Sequence, residues 1–323
     1  MGEFELIQRY FADRARPRQD VIVGIGDDCA LLRPAGGEQL LAVSIDTLVE
    51  GVHFLPGSDP AWLAQRLLGA VVSDLAGMGA TPAWFTLALT LPRADPLWLE
   101  PFAQALADRA AELEIALVGG DTTRGPLTLT AQAHGWVEAG RALRRDAARA
   151  GDLILVSGTL GDSRGGLQVQ QDGAAADANA RFLRQRFFRP EPRIELARAL
   201  APRLHAGIDI SDGLLADLGH IARRSGLGAQ LELERLPLSP ALIAYAGEEQ
   251  ARQWALSGGE DFELCLTAPA EALDWCLEVA ATLGVKLSCI GQMQDRSMDI
   301  EVFSQGQPQP ATECGYDHFG GEH

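Results

Sequence analysis

The chain has 323 residues, 47% hydrophobic and 22% charged, with a formal net charge of -17. That length and balance describe a soluble globular protein with room for two cores, and exclude a disordered chain. The surplus of carboxylates works against nucleic acid or an anionic membrane surface as partner, and makes any phosphate ligand depend on cations.

The first residues, MGEFELIQRY, are acidic and amphipathic, with Phe4, Ile7 and Phe11 at helical spacing, so a helix is predicted over 1–16. They lack the basic region and long apolar stretch of a signal peptide, and Gly2 lacks the downstream Ser or Thr of a myristoylation site. No apolar run approaches the ~20 residues of a membrane helix. Five cysteines without a CxxC pair fit a reducing compartment, and the expected location is the cytoplasm. Strands are predicted at 21–25 and 40–45. A helix opened by Pro60 follows, stopped by Gly77 and Gly79. The β-rich run TPAWFTLALTLP, a helix over 96–114 and the strands IALVGG and LTLTAQAHGWV complete a first domain, 1–138. Apolar periodicity lapses in the basic stretch GRALRRDAARAGD, so 139–151 read as a linker. The second domain, 152–323, carries strands at 153–157, 207–210, 231–233, 263–267 and 286–290. Helices separate them, the clearest at 213–224 and 269–283. The expected fold class is α/β (α+β), with each domain a mixed β-sheet covered by helices.

Six apolar runs end in carboxylates: VIVGIGDDCALL (Asp27, Asp28), LLAVSIDT (Asp46), LLGAVVSDLAGMGA (Asp74), IALVGGDTT (Asp121), AGIDISDGLL (Asp209, Asp212) and WALSGGEDFEL (Glu260, Asp261). The ends of core-building runs converge on one crevice. Carboxylates gathered there repel one another unless cations lie among them, which points to hard cations with oxygen ligands, held for a phosphate substrate. Asp74 is the sharpest case. It continues the inward stripe of Leu63, Leu67 and Val71, where an unpaired carboxylate costs several kcal/mol or turns neutral. A helix that ended sooner would leave it in solvent.

Asp27 and Asp28 cannot both point the same way in an extended segment, so one of them is the candidate ligand, and a plain Asp turn is the alternative. In GGDTT, amides freed by Gly119 and Gly120 could cradle a phosphate while Asp121 holds a cation. No Lys follows, so it is no P-loop, and a helix cap is the alternative. Asp209 and Ser211 share one side of an extended segment. For Asp212, at a helix start, capping and ligation are equally good readings. GTLGDSRGG does not match GxGxxG, and close strand-to-helix packing explains its glycines equally well. His53, flanked by apolar residues, has the look of a satisfied core histidine. No HExxH or Ser–His–Asp pattern is present, which disfavours a zinc hydrolase.

Taken together, GIGDDCALL, the Asp46–Thr47 pair followed by GVHF, SDLAGMGA, GGDTTRGPL, IDISDGL, LSGGEDFEL and the closing GYDHF resemble the thiamine-monophosphate kinases, in the same order over about residues 3–319. Some blocks recur in a wider superfamily that includes aminoimidazole-ribotide synthetase, selenophosphate synthetase and a hydrogenase-maturation protein. The resemblance implies direct in-line transfer of the γ-phosphoryl group of ATP to thiamine monophosphate, the last step of thiamine diphosphate biosynthesis, with Mg2+ as cofactor. It also implies a homodimer paired through the amino-terminal sheets.

By position, the resemblance makes Asp28, Ser44, Ile45, Asp46, Asp74, Asp121, Asp209 and Asp212 metal positions. Ile45, where the family often has Thr, could serve only through its backbone carbonyl. Gly120, Asp121, Arg145 and Ser211 match nucleotide contacts, and His53, Glu260 and Tyr316 match contacts to the thiamine phosphate. No covalent nucleophile or general base is implied, because a phosphomonoester loses its second proton near pH ~6. The difficulty is setting one anion against another in line, which cations and a fixed Arg relieve.

The rival readings are another ATP-dependent synthetase of the superfamily and a non-catalytic metal- or nucleotide-binding maturation scaffold. Selenophosphate synthetase would carry a reactive Cys or selenocysteine and a Lys in a glycine-rich amino-terminal loop. Aminoimidazole-ribotide synthetase lacks GVHF and GYDHF in this form. A scaffold of the maturation kind carries its cysteine at the carboxy terminus, whereas Cys314 precedes a HFGGEH ending.

Overall fold

The computed structural model describes residues 21–23, 26–34, 38–173, 177–295 and 299–310. The expected helix over 1–16, and Tyr316 with its GYDHF block, lie outside them. Strands β1 (Val21–Val23), β2 (Ala30–Leu32), β3 (Gln39–Val49), β4 (Thr81–Leu91), β5 (Ala116–Arg124) and β6 (Thr128–Glu138) form one sheet in the order β1-β2-β3-β6-β4-β5. All its pairings are antiparallel except β4 with β5. The strand expected over 40–45 runs on to Val49, because β6 supplies a continuous register from Gln39↔Glu138 to Val49↔Thr128. Leu40, Ala42 and Leu48 alternate inward along β3, while Ile45 points out, 59% exposed.

Helices α1 (Pro60–Gly77) and α2 (Pro96–Glu112) accompany this sheet. Each begins at an Asp-Pro step: Asp59 accepts the Ala61 amide at 2.8 Å and Asp95 the Leu97 amide at 3.0 Å, and the proline has no amide to leave unpaired. Gly79, at φ 68, turns the chain after α1. Nearly every side chain of α1 is buried, with Leu63, Leu67, Val71 and Leu75 at 0% exposure. Such a helix has no solvent face, and its small residues show why. A Cβ at Gly69 would meet the Pro190 carbonyl at 2.8 Å, and one at Gly77 would strike Asp28 and come to 3.0 Å from the Asp209 amide. The glycines let a helix of the first half lie against the backbone of the second.

The second sheet has the order β13-β12-β9-β11-β7-β10-β8, formed by β7 (Leu153–Ser157), β8 (Ala206–Asp209), β9 (Gly228–Glu232), β10 (Leu264–Ala268), β11 (Leu287–Gln294), β12 (Ile300–Ser304) and β13 (Gln307–Gln309). Only β12 with β9 is parallel. It is accompanied by helices α3 (Asp162–Gln171), α4 (Ala178–Phe188), α5 (Ile194–Leu200), α6 (Leu214–Ser225), α7 (Pro240–Ala246), α8 (Glu248–Ser257) and α9 (Leu273–Thr282). The later glycines of GTLGDSRGG serve helix-to-helix packing: a Cβ at Gly166 would crowd the backbone of Leu183, and one at Gly165 would meet Leu242 at 2.8 Å. The mixed α/β class with two sheets is as expected. No helix among the described residues is long and apolar enough to cross a membrane.

Candidate functional site

Three elements bring carboxylates together. Asp28 sits in the turn between β1 and β2, Asp74 near the carboxy end of α1, and Asp209 at the end of β8. One ligand oxygen from each lies within 4.8 Å of the others. Asp28 and Asp209 are buried, and their Oδ2 atoms have no hydrogen-bond partner among the described residues. Burial pushes the Asp28 carboxyl up to about 7, against the pull of the Arg145 guanidinium, and Asp209 up to about 6. Asp74 stands well above the ordinary carboxylate range, through burial first and then repulsion from Asp46, Asp209 and Asp28. Orphaned, buried oxygens in a set of hard oxygen donors fit a divalent cation such as Mg2+, which would remove the cost of ionising them together.

Two strand residues complete this wall. Ser44 and Asp46 are two apart on β3 and so share the face turned toward α1. The Ser44 hydroxyl donates to Asp74 Oδ2 at 2.5 Å, and burial raises Asp46 to about 6. The Ile45 side chain lies on the opposite face. Of the Asp27–Asp28 pair, Asp28 alone enters the cluster. Asp27 turns toward Arg145, accepting its amide at 3.4 Å and standing 3.7 Å from its Nε. Arg145 makes its closest ion pair with Asp28, and its carbonyl accepts the Ser225 hydroxyl at 2.9 Å, which ties this segment to α6.

Because β8 pairs with β10, with Leu264 opposite Asp209, the SGGED segment before β10 lies beside the ISDG turn after β8. The Glu260 amide donates to the Ser211 carbonyl at 2.6 Å and the Phe262 amide to the Ile210 carbonyl at 2.9 Å. Asp212 falls in a second group with Asp217 and His220. Asp217 accepts the amides of Ser211, Asp212 and Gly213 at 3.0, 3.0 and 3.1 Å, so it fixes the turn that presents Ser211 and Asp212. Asp261 turns away and caps α3 through the Gly161 and Ser163 amides, at 2.6 and 3.0 Å.

His53 and Glu260 are far apart in sequence but meet at one side chain. Arg66 of α1 is 1% exposed, forms an ion pair with Glu260 and reaches the His53 carbonyl at 3.5 Å. His53 Nδ1 accepts the Val49 amide at 3.0 Å, which puts its ring proton on Nε2. Sequence reasoning singled out neither Arg66 nor Asp217. The available signals were an Arg inside the apolar run WLAQRLLGAVV and an acid in the first turn of a helix that begins at a ligand candidate.

The GGDTT segment departs from expectation. The strand expected as buried and ending at Gly120 is instead exposed, and β5 continues through Arg124 at the sheet's edge. Gly120 is needed there because a Cβ would run into the Leu87 carbonyl of β4, next to a register shift in that pairing. Asp121 is exposed and belongs to neither carboxylate group.

The chain matches the family model of the AIR synthase related protein N-terminal domain over residues 26–137, and that of the C-terminal domain over 149–302. It is 51% identical over 322 residues to the thiamine-monophosphate kinase of Salmonella typhimurium, covering 98% of each chain. It resembles the crystal structure of the thiamine-monophosphate kinase from Stenotrophomonas maltophilia with a TM-score of 0.80 at 45% identity, covering 95% of this chain and 98% of that one. A TM-score of 0.85 at 31% identity, with 98% and 97% covered, relates it to a structure of AaThiL complexed with AMPPCP and TMP. The chain belongs to the thiamine-monophosphate kinase family.

Proposed function

We propose that this protein phosphorylates thiamine monophosphate with ATP, giving thiamine diphosphate and ADP, with Mg2+ as cofactor. The observation that carries the reading is the group Asp28, Asp74 and Asp209, in which the buried Asp28 and Asp209 each leave one carboxylate oxygen without a partner among the described residues. Asp28, Asp74 and Asp209 would hold Mg2+ there, supplying positive charge against the two phosphates. Asp28, Ser44, Asp46, Asp74, Asp209 and Asp212 are the proposed side-chain ligands, with Ile45 able to contribute its carbonyl alone. Ser211 and Arg145 are assigned to the nucleotide. Arg145 now neutralises Asp28 and Asp27, and it can exchange them for phosphate oxygens once cations take over that task. His53, Glu260 and Tyr316 are assigned to the acceptor. No general base is required, since the acceptor phosphate is already largely ionised at neutral pH.

Gly120 and Asp121 belong to this reading through a homodimer. Ile45 at 59%, Leu117 at 51% and Val118 at 61% exposure leave an apolar surface on the first sheet and its edge strand. Pairing of two such sheets would cover it and bring β5 into a shared nucleotide site. The two sheets are read as domains joined by the linker 139–151, in a protein of the cytoplasm. The test is a coupled assay of purified protein with Mg2+, ATP and thiamine monophosphate, with thiamine as control and the product identified by chromatography. Thiamine diphosphate formed from the monophosphate alone, and only with Mg2+, is the expected result. ATP binding without phosphorylation of either acceptor would overturn the substrate assignment.

A further inference from the structure

Arg66 carries a role that the aspartate cluster does not explain. It sits in the middle of α1, where the neighbouring inward positions are Leu63, Leu67 and Ala70. A buried guanidinium there is costly unless its charge and its donors are met. Nε finds no acceptor among the described residues, and the partners that meet the two terminal nitrogens come from three separate segments. The carboxylate of Glu260 takes the charge, the Phe187 carbonyl accepts a second donor, and the His53 carbonyl lies at 3.5 Å. The guanidinium also stacks on the Phe187 ring, 3.7 Å from its centroid.

The Glu260 side of this contact is under constraint. Glu260 has φ 60 and Phe262 φ 51, two non-glycine residues in the left-handed region within three positions. Such backbone is strained and persists only where the surroundings over-determine it. Two contacts hold Glu260: the hydrogen bond its amide donates to the Ser211 carbonyl, and the ion pair with Arg66. The Glu260 side chain nevertheless remains 32% exposed. Its carboxylate is therefore fixed from behind by a buried cation while part of it faces solvent. Arg66 is wholly inside and cannot itself reach a ligand.

We propose that Arg66 is the positioning residue for acceptor specificity: by bridging Glu260 and the His53 segment it fixes the carboxylate that receives the cationic, non-phosphate end of the acceptor. This rests on the functional reading above, in which the acceptor carries a thiazolium ring. It assigns the distinction between acceptor and ATP to one salt link between α1 and the turn before β10, apart from the aspartates.

The test is steady-state kinetics of the full-length wild type, Arg66→Met, Arg66→Lys, Glu260→Gln and the double variant Arg66→Met/Glu260→Gln, each varied in thiamine monophosphate and then in ATP at saturating Mg2+. Arg66→Met is expected to raise KM for thiamine monophosphate about tenfold or more while KM for ATP stays within about twofold. Arg66→Lys, which keeps the charge but not the fork, recovers part of the loss. In the double variant the Arg66 change adds little to Glu260→Gln, because the two residues act as one unit. Equal rises in both KM values, or additive losses in the double variant, overturn the proposal. If Arg66→Met does not fold, Arg66→Lys alone and in combination with Glu260→Gln gives the same split and the same cycle. A wild type that makes no thiamine diphosphate overturns the functional reading before any variant is compared, and takes this proposal with it.

Discussion

At the scale of single residues, Asp74 shows what a carboxylate in a core position does. Its stripe with Leu63, Leu67 and Val71 is legible in the sequence, and the structure sets it within reach of Asp28 and Asp209. If its charge exists to hold cations, Asp74→Asn should lower kcat by roughly 10²-fold or more at saturating Mg2+. The melting temperature of the metal-free protein should hold or rise, because the amide keeps the shape, can still accept from Ser44 and needs no proton to stay neutral. Near-normal turnover in that variant would remove Asp74 from the metal site. Arg66 and Asp217 were less legible for a physical reason. A long cation in an apolar run is as compatible with snorkelling to the surface as with burial, and only the tertiary fold supplies Glu260, Phe187 and His53 as its partners. Asp217 reads as an ordinary first-turn acid until the preceding turn is seen to fold back onto it.

The elements were legible where one period dominates and less so where the partner decides. Helix α1 follows from its Asp-Pro start and its apolar stripe, and β4 from an unbroken β-rich run. The full extent of β3 depends on β6, since Asp46 and Thr47 interrupt the apolar run that marks its start. The strand IALVGG was legible as far as Gly120, and only pairing with β4 carries it on through Asp121 to Arg124. The same dependence on a neighbour governs Gly77 of α1. On helix propensity alone Gly77→Ala should stabilise by about 1 kcal/mol. The added Cβ would instead strike the Asp28 carboxylate and crowd the Asp209 amide at 3.0 Å, pushing two of the three clustered acids apart. The expected result is a lower melting temperature together with a weaker Mg2+ dependence of activity, read by thermal denaturation and by titration of the assay with Mg2+. A variant more stable than wild type and unchanged toward Mg2+ would show that α1 does not set the spacing of the cluster.

At the scale of the whole molecule, the clustered acids tie stability to pH and to cations. In the folded chain Asp27, Asp46 and Asp209 are pushed up to about 6 and Asp28 and Asp261 to about 7, in each case chiefly by burial. Unfolded, such groups ionise near ~3.9. The metal-free folded state therefore binds more protons than the unfolded state between pH ~4 and ~7, and its stability falls as pH rises through that window. His220, held down to about 3 by burial and by Arg145, Arg223 and Arg224, works in the opposite direction, but as one group against several, and its effect is complete above pH ~6.5. The melting temperature of the chelator-treated protein should thus be higher at pH 5 than at pH 8. Added Mg2+ should raise it more at pH 8, where the carboxylates are already ionised, than at pH 5, where the cation must displace protons. A chelator-treated protein equally stable at both pH values, with no greater gain from Mg2+ at the higher one, would mean that these buried acids are not held in the folded state at the expense of their ionisation. The metal role of Asp28 and Asp209 would then lose its physical basis. The opposite outcome would show that cations offset the cost of ionising these acids in the -17 chain, and so help hold its two halves together across α1, where Asp28 and Asp74 of the first half meet Asp209 of the second.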